Sequence, residues 1–262
     1  MATLPQSATA ATNVAPTAAL VVIGNEVLSG KVADSNSPFV ARQLTQVGVD
    51  LRRIITLPDD TDLIAATVRD LSHAFDWVFT SGGIGPTHDD MTVAAVAQAF
   101  AVPLVLHPRL EADARAYYGE RLKPAHLQMA QVPEGTELLD LTDLGFPLMK
   151  MRNVFILPGV PQFFEAKFMA LKNTLGGVPI SLHQLFLHAE EGQIAEALQT
   201  VEARFAGVQI GSYPSYFNSD YRVKITVECR DPANVSAAVE ALRPLLLAAG
   251  AQILREEGAA SQ

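Results

Sequence analysis

The run Thr80-Ser81-Gly82-Gly83-Ile84-Gly85-Pro86-Thr87-His88-Asp89-Asp90-Met91-Thr92 joins residue types that suit phosphate chemistry. Gly82, Gly83 and Gly85 let a backbone turn tightly and present its N–H groups to an anion. The run follows an apolar strand, Trp77-Val78-Phe79, and leads into an Ala/Val-rich helix from Val93 to Ala101. The N-terminus of that helix adds positive potential. Two adjacent carboxylates, Asp89 and Asp90, would repel a phosphate unless a divalent cation bound both partners. The pattern therefore reads as a metal-assisted phosphate site, in which Asp89 and Asp90 hold a divalent cation and metal-bound water attacks phosphorus. Capping of the helix by either Asp is the competing reading.

Further candidates lie in other loops. Glu26 could ligate metal or orient a water, or serve as a surface carboxylate. Ser29-Gly30-Lys31 could set a hydroxyl and a cation near phosphate, but the spacing is not that of a P-loop. Asp34 and Asn36 could form a polar wall, with helix capping as the alternative for Asn36. Asp59 and Asp60 stand at a helix start, one suited to capping and one to the site. His88 could shuttle a proton or hold a phosphoryl oxygen, or lie exposed in its loop. Thr87 and Thr92 could donate hydroxyl hydrogen bonds to phosphate or act as local caps. Pro86 and Gly159 complete the expected binding set. No Ser-His-Asp arrangement or nucleophile elbow is present.

The elements that must position these residues follow from periodicity. Ala18 to Ile23 is an unbroken apolar run, as in a buried parallel strand. A helix follows from Asn36, with Val40, Leu44 and Val47 on one face and Gly48 as its stop. Leu51 to Leu57 alternates as a strand does, and Ile64, Val68 and Leu71 line a second helix. With the Trp77 strand this gives β-α-β-α-β-α, a mostly parallel, doubly wound, three-layer α/β/α sheet. In such sheets ligands bind beyond the carboxyl ends of the strands. Gly24-Asn25-Glu26, the Gly82–Asp90 run and Leu157-Pro158-Gly159-Val160-Pro161 all fall at such ends. Between them, helices are expected over Pro108 to Glu120 and Pro124 to Gln131. A turn is expected at Pro133-Glu134-Gly135, and a hairpin pairs Phe146 to Met151 with Asn153 to Leu157.

Gly176-Gly177 marks a boundary between domains expected at 18–176 and 178–256. The second reads as strands over Ile180 to His188, Val208 to Ser212, Tyr221 to Cys229 and Gln252 to Arg255. Helices fill Gly192 to Phe205 and Pro232 to Ala249. That order, βαββαβ, is the split βαβ of a small ferredoxin-like α+β domain. A frayed tail is expected from Glu256. Gly211-Ser212-Tyr213-Pro214-Ser215-Tyr216-Phe217 reads as a turn whose aromatics could stack on a nucleobase or flavin ring, cover a dimer contact, or pack internally.

The 262 residues carry 49% hydrophobic and 18% charged side chains, proportions of a globular chain with a filled core. A net charge of −9 argues against nucleic acid as a partner. Cys229 is the single cysteine, so no intramolecular disulfide and no cysteine zinc site can form. No apolar run approaches the ~20 residues that span a bilayer. Residues 1–17 read as a disordered tail without signal-peptide features, and a cytoplasmic location is expected.

The glycine-Asp-Asp run resembles the signature of the molybdopterin-binding, MoaB/MogA-like superfamily, and most closely the branch with the N-terminal domain of CinA proteins. Gly24-Asn25-Glu26-Val27-Leu28-Ser29-Gly30, Asp34-Ser35-Asn36 and Leu157–Pro161 resemble its other blocks. Phe146-Pro147-Leu148 and Arg152-Asn153-Val154 are similar to the N-terminal domain of eukaryotic-type FAD synthases. The resemblance implies a three-layer α/β/α fold, a homo-oligomer, and metal-dependent cleavage of a nucleotide pyrophosphate such as FAD or ADP-ribose. In the wider superfamily it implies molybdopterin binding or adenylyl transfer in molybdenum cofactor biosynthesis, or a non-catalytic binding module. The chain departs from the pattern at Asn25, where Thr or Asp is more usual. Neither a nicotinamide-mononucleotide deamidase domain nor a Ser-Gly-Gly-Lys-Asp type loop follows, so FAD synthesis is not expected.

Overall fold

The computed structural model describes residues 15–141, 146–216 and 220–258. The chain divides into two compact units between Gly177 and Val178. The first unit opens with strand β1 (Thr17–Ile23), a one-turn helix α1 (Asn25–Leu28), helix α2 (Asn36–Gln46) and strand β2 (Asp50–Leu57). Helix α3 (Thr61–Ala74), strand β3 (Trp77–Ser81) and helix α4 (Thr92–Ala99) follow. Next come β4 (Leu104–Leu106), α5 (Pro108–Tyr118), α6 (Pro124–Gln128), β5 (Gln131–Pro133) and β6 (Glu137–Leu139). β7 (Leu148–Met151), β8 (Val154–Leu157) and α7 (Pro161–Leu171) complete the unit.

Its main sheet runs β2-β1-β3-β8-β7-β6. The first four strands are parallel, and β7 and β6 add antiparallel edges. Strand alternation divides the core into two layers. Ala19, Val21 and Ile23 of β1 face Ile64, Val68, Ala95 and Val96 of α3 and α4. Ala18, Leu20 and Val22 face Val40, Leu44, Phe164 and Phe168 of α2 and α7. The expected three-layer α/β/α arrangement is thus present. Because β1 has β2 on one side and β3 on the other, the strand order reverses there, which opens a crevice at the carboxyl ends.

The middle of this unit differs from expectation. α5 stops at Tyr118 and a 3-10 turn covers Gly119–Arg121. α6 ends at Gln128, because Gln131–Pro133 leaves the helix to pair with Leu104–Leu106. Thr17, expected in the tail, begins β1, and its backbone N–H donates to Asp76 Oδ2 at 2.7 Å. The remainder of that tail, through residue 14, lies outside the described residues.

The second unit contains β9 (Ser181–His188), α8 (Glu191–Arg204), β10 (Gln209–Pro214), β11 (Val223–Cys229), α9 (Pro232–Ala248) and β12 (Gln252–Gly258). The sheet order β10-β11-β9-β12, antiparallel throughout, is that of the split βαβ fold. Both helices cover one face, packing Ile194, Leu198, Val235 and Leu242 on Leu185, Leu187, Ile225 and Val227. Cys229 is buried at the end of β11.

Two expectations change here. The tail from Glu256 is strand, not frayed. Glu256 accepts from Arg243 Nε and Nη2, both at 2.9 Å, and lies 2.8 Å from His183 Nε2. A charged strand end is held because Glu256 has partners on α9 and β9, and Glu257 pairs with Arg255 along β12. The aromatic turn begins later than expected, since Tyr213 and Pro214 belong to β10. Phe217 of that turn lies outside the described residues.

Candidate functional site

Three strand ends meet at the crevice, and glycine makes the meeting possible. Gly82 has φ 105°, and a Cβ there would stand 2.3 Å from Ile23 O. A Cβ on Gly159 would stand 3.1 Å from Gly82 Cα. The Gly82 N–H donates to Leu157 O at 3.2 Å, and the Gly24 N–H to Leu57 O at 3.1 Å. The backbones after β1, β3 and β8 therefore lie in contact, with no space for side chains between them.

Buried polar side chains fasten these backbones. Asn36 is 5% exposed, and its Nδ2 donates to Ser81 Oγ and Gly159 O, both at 2.9 Å. Asn36 does not cap α2: Ser35 holds the N-cap position, and Asp34 Oδ1 accepts from the Ser37 N–H at 3.0 Å. Asn36 Oδ1, Ser37 Oγ and Thr80 Oγ1 are buried without hydrogen-bond partners among the described residues. Thr92 is fully buried and its hydroxyl donates to Gly82 O at 2.7 Å. With its one proton engaged there, Thr92 shapes the loop instead of donating to a phosphate.

The two adjacent aspartates take different positions. Asp90 turns back into the loop. Its Oδ1 accepts from the Gly85 N–H at 2.7 Å, and its Oδ2 accepts from the Thr87 N–H at 2.8 Å and from the Thr87 hydroxyl. Three donors fill most of the lone-pair directions of one carboxylate. Neither Asp caps α4: Met91 holds the N-cap position, with no side-chain cap bond. Asp89 is exposed. Thr87, its own backbone N–H and the nearby His88 hold its carboxyl below the ordinary value, so it stays anionic at neutral pH. Pro86, Thr87 and His88 are exposed beside it.

With these contacts made, the N–H groups of Gly83, Ile84 and His88 have no acceptor among the described residues. The loop is therefore braced by Asp90 and leaves these three amide donors available. A cavity of about 150 Å³ adjoins it, lined by Ile84, Thr87 and Asp90 with Val93, Leu104 and Met149.

The first loop contributes less. Glu26 is exposed on α1 and folds its carboxylate over Gly24, where a Cβ would stand 2.4 Å from Glu26 Oε1. Asp59 Oδ2 accepts from the Asn25 N–H at 2.9 Å, and Asp60 caps α3 through the Leu63 N–H at 2.9 Å. Lys31 is exposed. Among the described residues, no three His, Cys, Asp or Glu side chains gather closely enough to hold a metal ion. The structure thus does not bring Asp89, Asp90 and Glu26 into a metal cage. Of the adjacent pair, Asp89 is the exposed carboxylate, the one that could reach a cation.

Sequence comparison bears on the whole of this unit. The family model described as "Probable molybdopterin binding domain" matches residues 19–176. The chain belongs to this molybdopterin-binding-domain family. A second model, "FAD synthase, middle domain", matches residues 179–252. A "Probable FAD synthase" of Caenorhabditis elegans is 35% identical over 260 residues, which are 88% of this chain and 50% of that protein. The chain therefore spans about half the length of the FAD synthase relatives it matches. A protein of Archaeoglobus fulgidus is 33% identical over 229 residues, covering 87% of this chain and 96% of its own length. A crystal structure titled as the protein CinA with unknown function, from Thermoplasma acidophilum, superposes with a TM-score of 0.56 at 32% identity. It covers 61% of this chain and 99% of its own.

Ser81, which accepts from Asn36, and Thr80 open the glycine run, but the sequence assigns neither a role of its own. Their one sequence signal is their place at the carboxyl end of a buried strand.

Proposed function

We propose that the α/β domain at 18–176 binds a nucleotide-like diphosphate on the Gly82–Asp89 loop and hydrolyses its pyrophosphate bond with a divalent metal. The observation that carries this reading is the set of partnerless amide donors at Gly83, Ile84 and His88, in a loop braced by Asp90. Those donors stabilise negative charge on the diphosphate as it develops. Water adds to one phosphorus, the bridging oxygen leaves with the other phosphate, and the released proton passes to His88 or solvent. FAD then gives FMN and AMP, and ADP-ribose gives ribose 5-phosphate and AMP. Asp89 would hold the metal, Mg, Mn or Co, with the one open direction of Asp90 beside it. When bound, that cation supplies Lewis-acid neutralisation of the diphosphate. Glu26 is the candidate for orienting the water. The domain at 178–256, assembly as a homo-oligomer and a cytoplasmic location belong to the same proposal.

The test incubates the purified chain with FAD or ADP-ribose and each metal, and measures AMP. Release that needs metal and is lost in Asp89→Asn supports the reading. No AMP with any metal overturns it.

The FAD synthase relatives favour a second reading, adenylyl transfer onto a phosphate of a pterin or flavin. Its signature is pyrophosphate released from ATP only when the acceptor is present.

Among the described residues no helix is long and apolar enough to cross a membrane.

A further inference from the structure

The second unit buries one sheet face beneath α8 and α9, and its other face carries an ordered row. Strand register places Tyr213 opposite Lys224, Lys224 opposite Phe186, and Phe186 opposite Arg255. Aromatic and cation thus alternate across all four strands. Lys224 Nζ lies 5.0 Å from the Tyr213 ring centroid, and Arg255 lies 3.7 Å from that of Phe186. Phe186 is only 5% exposed, with Arg255 above it and Tyr221 at its edge, 4.9 Å between centroids. Tyr213 is 51% exposed.

The Tyr213 ring lies over Gly211. A Cβ on Gly211 would stand 2.7 Å from Tyr213 Cε2 and 2.8 Å from Thr226 Oγ1, so glycine is what lets the ring settle on the sheet. The next row brings Gly211, Thr226 and Gln184 side by side. Thr226 is buried, whereas the half-buried Gln184 side chain makes no hydrogen bond among the described residues and Lys224 has no carboxylate partner there. Arg255, by contrast, pairs with Glu257.

We propose that this face binds one nucleoside monophosphate. The base stacks on Tyr213, Gln184 hydrogen-bonds its edge, and Lys224 receives the phosphate. Exposed aromatics on four-stranded α+β sheets hold bases in this way, and stacking tolerates any planar ring. The occupant is a single nucleotide and not a strand, because Glu257 and Glu228 flank the row and would repel further phosphates. The site is independent of the diphosphate loop in the first unit.

The experiment uses the full chain labelled with 3-fluorotyrosine, without metal, titrated with AMP, and assigns the Tyr213 ¹⁹F signal by its loss in Tyr213→Phe. The Tyr213 signal is expected to shift saturably with AMP and not with ribose 5-phosphate. By equilibrium dialysis, Tyr213→Ala weakens AMP binding at this site about ten-fold, whereas Tyr213→Phe retains it. Lys224→Gln weakens it about five-fold and removes most of its salt dependence. An unmoved Tyr213 signal at millimolar AMP overturns the proposal, as does an equal shift with ribose 5-phosphate. Affinity that rises with oligonucleotide length overturns the single-nucleotide occupant.

Discussion

The crevice of the first unit and the open sheet face of the second unit offer opposite kinds of surface. In the crevice, the polar side chains turn inward. Asp90, Thr92 and the Asn36 amide N–H groups are engaged within the protein, which leaves peptide N–H groups and the exposed side chains of Asp89, His88 and Glu26. On the sheet, β11 and β9 are paired on both sides, and what remains is a row of side chains. A backbone site depends on the distances between loops and fails when they separate. A side-chain site on a regular sheet loses one contact at a time. Substitutions should therefore act abruptly in the first and gradually in the second.

The sharpest test is Gly82→Ala. The new Cβ would meet the Ile23 carbonyl oxygen, a backbone atom, at 2.3 Å, and φ 105° is unfavourable for any side chain. Strain and clash together should cost about 3 kcal/mol. The first unit should melt roughly 6–12 °C lower, with loss of nucleotide binding. An unchanged melting temperature would break the contrast, because the crevice would then tolerate the loss of its tightest approach.

The paired aspartates come second. Asp90→Asn replaces an acceptor-only group by one that presents an NH₂ to loop N–H donors. A hydrogen bond to a charged group is worth about 1.5–3 kcal/mol, so the loop should open and nucleotide affinity should fall at least ~10-fold. Asp89→Asn should leave the melting temperature within about 0.5 kcal/mol equivalent while abolishing metal-dependent AMP release. Calorimetry with turnover assays separates the two. Equal stability loss in both variants would mean that Asp89 is also a brace.

How much of this was legible in the chain follows from the same contrast. The long elements were, because β1 is an unbroken apolar run and α2, α3 and α9 carry apolar periods over several turns. β4, β5 and β6, three residues each, are too short to show a period. β12 was cut short because Glu256 and Glu257 look like solvent-exposed ends until Arg243 supplies a partner from α9. In the crevice, the glycines announced a nest. The direction of each aspartate did not show, since Asp89 and Asp90 are neighbours of identical type and the loop conformation alone separates them. Asn36 resembled a cap because its partner Gly159 stands 123 residues away. A contact of that range leaves no mark on local spacing.

Asn36→Ala is the third test, and it asks whether the bracket is structural only. Removing the side chain deletes two hydrogen bonds and leaves Gly159 O without its donor, at a cost of about 2 kcal/mol in thermal or denaturant unfolding. If the crevice acts as a unit, nucleotide affinity falls in parallel, although Asn36 carries no charge. Stability loss with affinity intact would show that β8 and β3 hold the amide donors without it.

The smallest effect belongs to the second unit. The Arg243 guanidinium first, and His183 after it, hold the Glu256 carboxyl below the ordinary glutamate value of 4.5. The folded chain therefore binds fewer protons at this group than the unfolded chain does. The resulting stability is complete above the unfolded value and drains as pH falls through the lower, folded one. The second unit should accordingly soften below pH 4.5, and Glu256→Gln should flatten that slope by removing the contribution already at pH 7, where the loss should be modest because the ion pair is partly exposed. Melting curves across pH 3–7 check this. A large loss at neutral pH in Glu256→Gln would show that the end of β12 depends on a single ion pair as the crevice depends on Gly82, and the contrast between an abrupt and a gradual site would no longer hold.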